Sequence, residues 1–486
     1  MCACGRQKPA DGQDTTAPEE ETAAPAEETL TLPYTSLDSV NPFYTASLLN
    51  ASLIPLAYQS LYCLDSGFMP VRVLAAEETP TPDSVRVTLA DDVVFSDGAP
   101  LTGADVVYSF EKAKASSLYG ESLRNIESCT ADGNYTLTFT LHTPDCNAVN
   151  LLTFPVVRAD TAEDADRFPV GSGCFVFTAD SLRLSLVQNA RFAGARPRIG
   201  TVRLYDITDN TSLMHLLDTG EIDGFYTDLS EGVAKRSFSG ASEIYLNNLV
   251  FLGFNYASYR LSSADVRRAV SLAVSRGSIC ANAFLGHARA AFFPMNTSWD
   301  ALASLRFSAE QTGDADPAAA DALLDTVGAG FSGDTLSYRL ICVDEGNFMP
   351  TAAALIAEQL ESVNINLSVE LLTEEAFRAA LAAGDYDLYL SEIKLAKNMD
   401  LSPFFDAGGA ASYGIDPGLL SVDGRYGLYR ADRLELQTFL NDFYAEMPFV
   451  PLAFRNGQFC YSRGMNSGVE ATEDNLFLNI ADWSAP

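Results

Sequence analysis

Metal binding, nucleophilic attack and proton transfer each need particular side chains at particular spacings, and this chain supplies few of them. His142, His215 and His287 stand far apart, which leaves no His-rich metal site. Beyond the N-terminus the cysteines are Cys63, Cys129, Cys146, Cys174, Cys280, Cys342 and Cys460. They are dispersed and never spaced as CxxC, so zinc and thioredoxin-type readings fail. Most sit among apolar neighbours and read as buried small hydrophobes, with one disulfide left open. There is no GxSxG, HExxH, Walker A or dinucleotide fingerprint. Gly171-Ser172-Gly173 is too short to cradle a phosphate and reads as a tight turn. The pairs Asp91-Asp92 and Glu374-Glu375 read as solvated faces rather than a glycosidase dyad. The sequence therefore calls for no catalytic residue, no metal and no cofactor.

The segment with most to offer is Lys394-Leu-Ala-Lys397-Asn-Met-Asp400-Leu-Ser-Pro-Phe404-Phe405, followed by Gly408-Gly409. It leaves a predicted parallel strand at its C-terminal end, where open α/β lobes place ligands. With 29 Phe and 20 Tyr, the chain has aromatics enough to line a cleft. In this reading Lys397 meets an anionic or carbonyl-rich group of a ligand, or else Asp400. Phe404, Phe405 and Tyr413 form an apolar wall, and Asp344 or Glu345, with Asn347 in the same loop, accepts a cationic end. Tyr34, Asn41 and Phe43 join the candidate ligand contacts. The alternative is an ordinary charged loop, with Lys397 in solvent moderating an acidic surface.

Composition narrows the partners. Over 486 residues, 64 Asp and Glu against 31 Lys and Arg give a net charge of −33. Such a field repels phosphate backbones and anionic headgroups, which excludes a sequence-independent nucleic-acid binder. No uncharged apolar run reaches the ~18 residues of a transmembrane helix. Residues 1–29 begin Met1-Cys2-Ala3-Cys4 and continue as an acidic, Pro/Ala/Thr-rich stretch that reads as a disordered tether. A cysteine at the head of such a tether resembles the mature start of a bacterial lipoprotein, with Cys2 or Cys4 carrying the lipid and any export signal already removed.

The elements that must position these residues follow from periodicity. Thr29–Tyr34 and Ser84–Leu89 alternate as strands, and Leu48–Leu64 reads as a helix weakened by Pro55. Thr102, with Asp105 at the third helical position, caps a helix over Gly103–Ala115. Hairpins are predicted at 126–141, turning at Asp132-Gly133-Asn134, and at 174–188. From about 250 to 460 a strand–helix–strand rhythm predicts a parallel-type α/β lobe: strands at Leu249–Tyr256, Leu336–Val343, Asn366–Leu371 and Asp387–Leu390, helices at 264–275, 351–362 and 374–383, and a helix opened by Asp316-Pro317. Pro448–Leu452 and Gln458–Tyr461 read as two late strands.

Phe95-Ser-Asp-Gly-Ala-Pro-Leu-Thr-Gly-Ala-Asp-Val-Val-Tyr-Ser-Phe-Glu111 resembles the signature of family 5 extracellular solute-binding proteins, the peptide- and nickel-binding subunits of ABC importers. Further blocks keep that family's order: Val170–Phe177, Asn189–Pro197, Gly220–Asp223, Phe254-Asn255, Asp265–Ser275, Asp316–Leu324, Ile356–Leu360, Gly384–Leu388 and Pro448–Leu452. The resemblance implies a two-lobed, type II periplasmic-binding-protein-like α/β fold with an extra α/β domain inserted in lobe I. By analogy lobe I comprises 30–46, 168–248 and 462–486, the inserted domain 47–167, and lobe II 249–461. It further implies a monomeric, membrane-tethered, extracytoplasmic protein that is not an enzyme. Such a protein captures a peptide or other small solute and presents it to ABC permease subunits. A sensor or scaffold of the same fold is the alternative. Peptide-binding members carry an aspartate for the peptide ammonium near the place Lys397 occupies, and dipeptide binders supply an arginine for the carboxylate from a loop that here reads Val343-Asp344-Glu345-Gly346-Asn347-Phe348. The usual ammonium and carboxylate partners are thus missing or reversed.

Overall fold

The computed structural model describes residues 28–180, 183–229, 240–344, 348–465 and 468–485. Cys2, Cys4 and nearly all of the expected tether lie outside them. The first strand begins at Glu28, so the last two residues assigned to the tether belong to the fold.

Near the N-terminus a four-stranded sheet runs in the order Glu28–Tyr34, Ile199–Asp206, Leu184–Gln188, Phe175–Ala179. Its first pair is parallel and the rest antiparallel. A second sheet of four antiparallel strands lies within 75–141. Val85 and Val87 of Ser84–Leu89 pair with Phe139 and Leu137, and all four are buried with Phe110 of the helix Gly103–Ala115. That helix starts where the sequence places it, because Asp105 accepts hydrogen bonds from the Thr102 backbone N–H (2.9 Å) and hydroxyl (2.8 Å).

The helix expected over 48–64 is broken. Short helices Leu48–Ser52 and Ile54–Ala57 flank Leu53, with Pro55 in the first turn of the second. Proline is tolerated there because its missing N–H has no intrahelical partner to lose. The chain then becomes extended, and Tyr62–Leu64 pairs with Pro70–Arg72. Gly171 and Gly173 pack against this corner. A Cβ on either would stand 2.2 to 2.7 Å from main-chain atoms of Leu56 or Ala57, so the Gly-Ser-Gly turn serves close backbone approach.

The largest sheet has seven strands: Gly224–Thr227, Val450–Tyr461, Gly240–Phe254, Leu388–Lys394, Leu336–Val343 and Ile365–Leu372 in order, with Ala288–Ala290 also pairing with Val450–Tyr461. Only Leu388–Lys394, Leu336–Val343 and Ile365–Leu372 are mutually parallel. The sheet is therefore mixed, not parallel throughout, because the strand–helix–strand rhythm holds only between 336 and 394. The two late strands are one continuous strand. Arg455 and Asn456, between the two predicted strands, are buried within it.

Gly240–Phe254 and Val450–Tyr461 each serve two cores. Ile244, Leu246 and Phe459 pack with the N-terminal sheets. Leu249–Leu252, Phe254, Val450 and Leu452–Phe454 pack in the larger core, where Phe251 meets Phe404 and Phe404 stacks on Phe449. Between the cores the register slips, from Tyr245 opposite Asn456 to Leu249 opposite Phe454. Such a bulge bends paired strands where they leave one sheet plane for another. Side chains satisfy its backbone: Asn296 Nδ2 donates to Leu246 O (2.9 Å), and the Asn247 N–H donates to Glu473 (3.0 Å).

Candidate ligand-binding cleft

A cavity of about 770 Å³ opens where these cores face each other, inside the ~300–1,000 Å³ range of small-molecule sites. One wall comes from residues 48–63 and 117–125, with Thr153–Pro155. Phe192, Tyr226 and 473–481 supply another, and Lys394–Asn398, Asp400 and Pro403 the third. Much of the lining is apolar. Leu48, Leu118 and Leu478 remain 49%, 40% and 38% exposed. Burial raises the phenol pKa values of Tyr119 and Tyr226, so both stay neutral donors.

The loop after Leu388–Lys394 is held from behind. Asn247 takes the carbonyls of Leu395 and Ala396, and Asn150 Nδ2 donates to Lys397 O (3.1 Å) and Phe68 O (2.9 Å). So fixed, the loop sets two ammonium groups against an acidic pair near the C-terminus. Lys394 Nζ lies 2.5 Å from Glu473, whose charge is the main cause raising the Lys394 pKa. Lys397 Nζ donates to Thr153 Oγ1 (2.6 Å) and is ion-paired with Asp474. Asp474 also accepts the Leu64 backbone N–H (2.9 Å). Glu473 accepts that of Asn247 (3.0 Å). Lys397, Glu473, Asp474 and Leu478 line a second cavity of about 570 Å³ as well, so the Lys397–Asp474 pair borders both spaces.

At the cleft's edge a drier cluster joins the 47–167 stretch to 249–461. The Arg430 guanidinium lies 2.8 Å from Asp400 and 2.9 Å from Asp145. Asn398 donates to Asp145 (2.6 Å) and Tyr426 to Asp400 (2.9 Å). Arg124 reaches Asp400 (3.3 Å), Glu121 (3.3 Å) and the Ser402 hydroxyl. The two carboxylates respond oppositely. Burial pushes the Asp145 pKa up despite Arg430. It also pushes Asp400 up, but Arg430 and hydrogen bonds from Ser402 and Tyr426 outweigh it and hold Asp400 below the usual value.

Of the residues singled out in sequence, Lys397 and Asp400 line the cleft. Lys397 pairs with Asp474 and Thr153 rather than with Asp400, which belongs to Arg430. Phe404 is not a cleft wall. It is fully buried, stacked on Phe449 at 3.9 Å between centroids. Phe405 and Tyr413 pack against the same core. Asp344 is exposed beyond the end of its strand and away from the cavity, and Glu345 and Asn347 lie outside the described residues. Tyr34 packs at the edge of the N-terminal core. Asn41 is buried and spends its amide on Asp164 O (3.0 Å) and the Phe43 N–H (3.2 Å), and Phe43 is core. Sequence reasoning missed Arg124, Thr153, Phe192, Tyr226, Glu473 and Asp474. Only the adjacent Glu473-Asp474 pair carried a local signal, and acidic pairs are common in so acidic a chain. The seven described cysteines are free, and burial raises each thiol's pKa. Among the described residues no group of three His, Cys, Asp or Glu is placed to hold a metal ion.

Two cores joined by a pair of long strands, with a cavity between them, define a two-lobed binding-protein fold. The chain belongs to the bacterial extracellular solute-binding proteins, family 5, whose model matches residues 70–412. It is 24% identical over 278 residues to the glutathione-binding protein GsiB of Salmonella typhi, covering 52% of this chain and 53% of that protein. To the oligopeptide-binding protein AppA of Bacillus subtilis it is 22% identical over 329 residues, covering 62% and 60%. These matches span about half to three fifths of the relatives' lengths. In fold it resembles the unliganded open form of the periplasmic murein tripeptide binding protein MppA, with a TM-score of 0.78 at 15% identity over 95% of this chain and 98% of that one. No helix among the described residues is long and apolar enough to cross a membrane.

Proposed function

We propose that this protein is the solute-binding subunit of an ABC importer, capturing a peptide or other small solute between its lobes and presenting it to the membrane permease. The observation that carries this reading is the cavity itself: peptide-sized, largely apolar, and walled by segments from both cores. Closure of the lobes is the mechanism, because a ligand touching both walls stabilises the state in which they approach. The lobe division is 30–46, 168–248 and 462–486 for lobe I, 47–167 for its inserted domain, and 249–461 for lobe II. Gly240–Phe254 and Val450–Tyr461 are then the hinge. The protein works by binding rather than by bond chemistry, outside the cytoplasm, as a monomer tethered by a lipid on Cys2 or Cys4. Native mass spectrometry of the full chain purified from its host tests the reading. A small molecule that leaves on denaturation is expected, and a bare chain that also captures nothing from a host solute extract contradicts it.

A further inference from the structure

Each charged side chain lining the main cleft, among the described residues, already has an oppositely charged partner within the protein. Lys394 is paired with Glu473 and Lys397 with Asp474. Arg124 is shared between Glu121 and Asp400, and Asp400 is also held by Arg430. The chain as a whole carries −33, yet among the described residues its cleft offers a ligand no uncommitted charge of either sign. A solute arriving with a free ammonium or carboxylate must pull one of these pairs apart or leave its own charge unpaired in a partly dry cavity, and both are unfavourable. Neutral amides and hydroxyls only exchange one hydrogen-bond partner for another.

The apolar lining points the same way. Leu48, Leu118 and Leu478 come from three separate stretches and keep large exposed surfaces, and all three line the cavity beside Phe192, Tyr119 and Tyr226. Exposed leucines gathered in one concavity mark an apolar contact surface. Resting on the solute-binding reading above, we propose that the cleft selects a peptide-sized solute with uncharged ends and an apolar or aromatic body: an end-capped or cyclic peptide rather than a free-ended zwitterion. The wall ion pairs act as the filter, staying closed to a charged terminus and letting a neutral one pass.

The test uses the full chain, stripped of any co-purified solute by reversible partial unfolding. Leu-Phe-Leu with free ends competes at equal concentration with its N-acetyl, C-amide form, and native mass spectrometry reads occupancy. The capped form should be favoured by about tenfold, the factor expected where a terminal charge is left unpaired beside the largely buried Asp474 and Asp400. Equal or greater occupancy by the free-ended peptide overturns the filter while leaving the solute-binding reading intact. Occupancy by neither peptide also overturns it, and the solute-binding reading then stands or falls on capture from the host. The converse variant is Asp474→Asn, which leaves the Lys397 ammonium in want of an anion. It should raise capture of the free C-terminal carboxylate by about tenfold over wild type. Where Asp474→Asn does not fold, Glu473→Gln makes the test at the more exposed Lys394, with a gain of about threefold expected. A folded variant with no such gain overturns the proposal.

Discussion

Two sets of charges line the cleft and its edge, and they differ in how much water they keep. In the Arg430 cluster the arginine, Asp145 and Asp400 side chains are 10%, 1% and 9% exposed. At the cleft floor Lys397 and Asp474 are 30% and 7% exposed, and Lys394 with Glu473 65% and 15%. The dry cluster fixes geometry, because three buried charged groups tolerate no rearrangement that leaves one alone. At the floor the lysines reach water while Glu473 and Asp474 stay largely buried, so these pairs add less to stability than the cluster, yet displacing a lysine would strand a buried carboxylate. One set therefore ties Asp145 to Asp400 and Arg430 across the chain, and the other lines the cavity.

Replacing Arg430 by Met should break this contrast most. It strands two buried carboxylates and should cost about 3–5 kcal/mol, read by urea unfolding. A loss below about 1 kcal/mol would mean the cluster is wet in solution. Lys397→Met should cost less, about 1–3 kcal/mol, since Asp474 keeps the Leu64 N–H and the lysine it loses is partly solvated. If Lys397→Met matched Arg430→Met, the grading by burial would be wrong.

A smaller effect distinguishes the two carboxylates of the cluster by the sign of their pH dependence. The native Asp400 pKa is lowered, so its contribution is present above the unfolded value of about 3.9 and is lost as pH falls through the native one. The native Asp145 pKa is raised, so its contribution is complete below about 3.9 and is lost as pH rises through the native one. Melting curves over this range should show the gap between wild type and Asp400→Asn closing as pH falls, and that between wild type and Asp145→Asn closing as pH rises. Parallel gaps would contradict the assignment. Glu473→Gln should be the mildest of the set, within about 1 kcal/mol, and a larger loss of stability would mean that Lys394 is drier than its exposure indicates.

The same contrast explains what could be read in the sequence. Gly103–Ala115, Leu336–Val343 and Glu374–Ala383 have the bounds that their caps and periodicity imply, because those signals are local. Pro55 was visible as a weakness, but its consequence depended on the partner strand Pro70–Arg72. The polar residues between Pro448–Leu452 and Gln458–Tyr461 hide a continuous strand, because their burial is tertiary: Arg455 is taken up by Glu392, at 2.6 and 2.9 Å. Lys397 was legible as a candidate from its place after a strand, while its partner Asp474 lies 77 residues away and nothing in either segment encodes the meeting. Phe404 was misplaced because an aromatic beside a charged loop looks the same whether it faces a cleft or a core.

The central claim is that the two lobes close on a solute about Gly240–Phe254 and Val450–Tyr461. Small-angle X-ray scattering of the stripped full chain, before and after saturation with the solute it retains from its host, tests this most directly. A smaller radius of gyration and a narrower distance distribution in the bound state are expected. Superimposable profiles at demonstrated saturation would contradict closure and leave the cleft a static pocket.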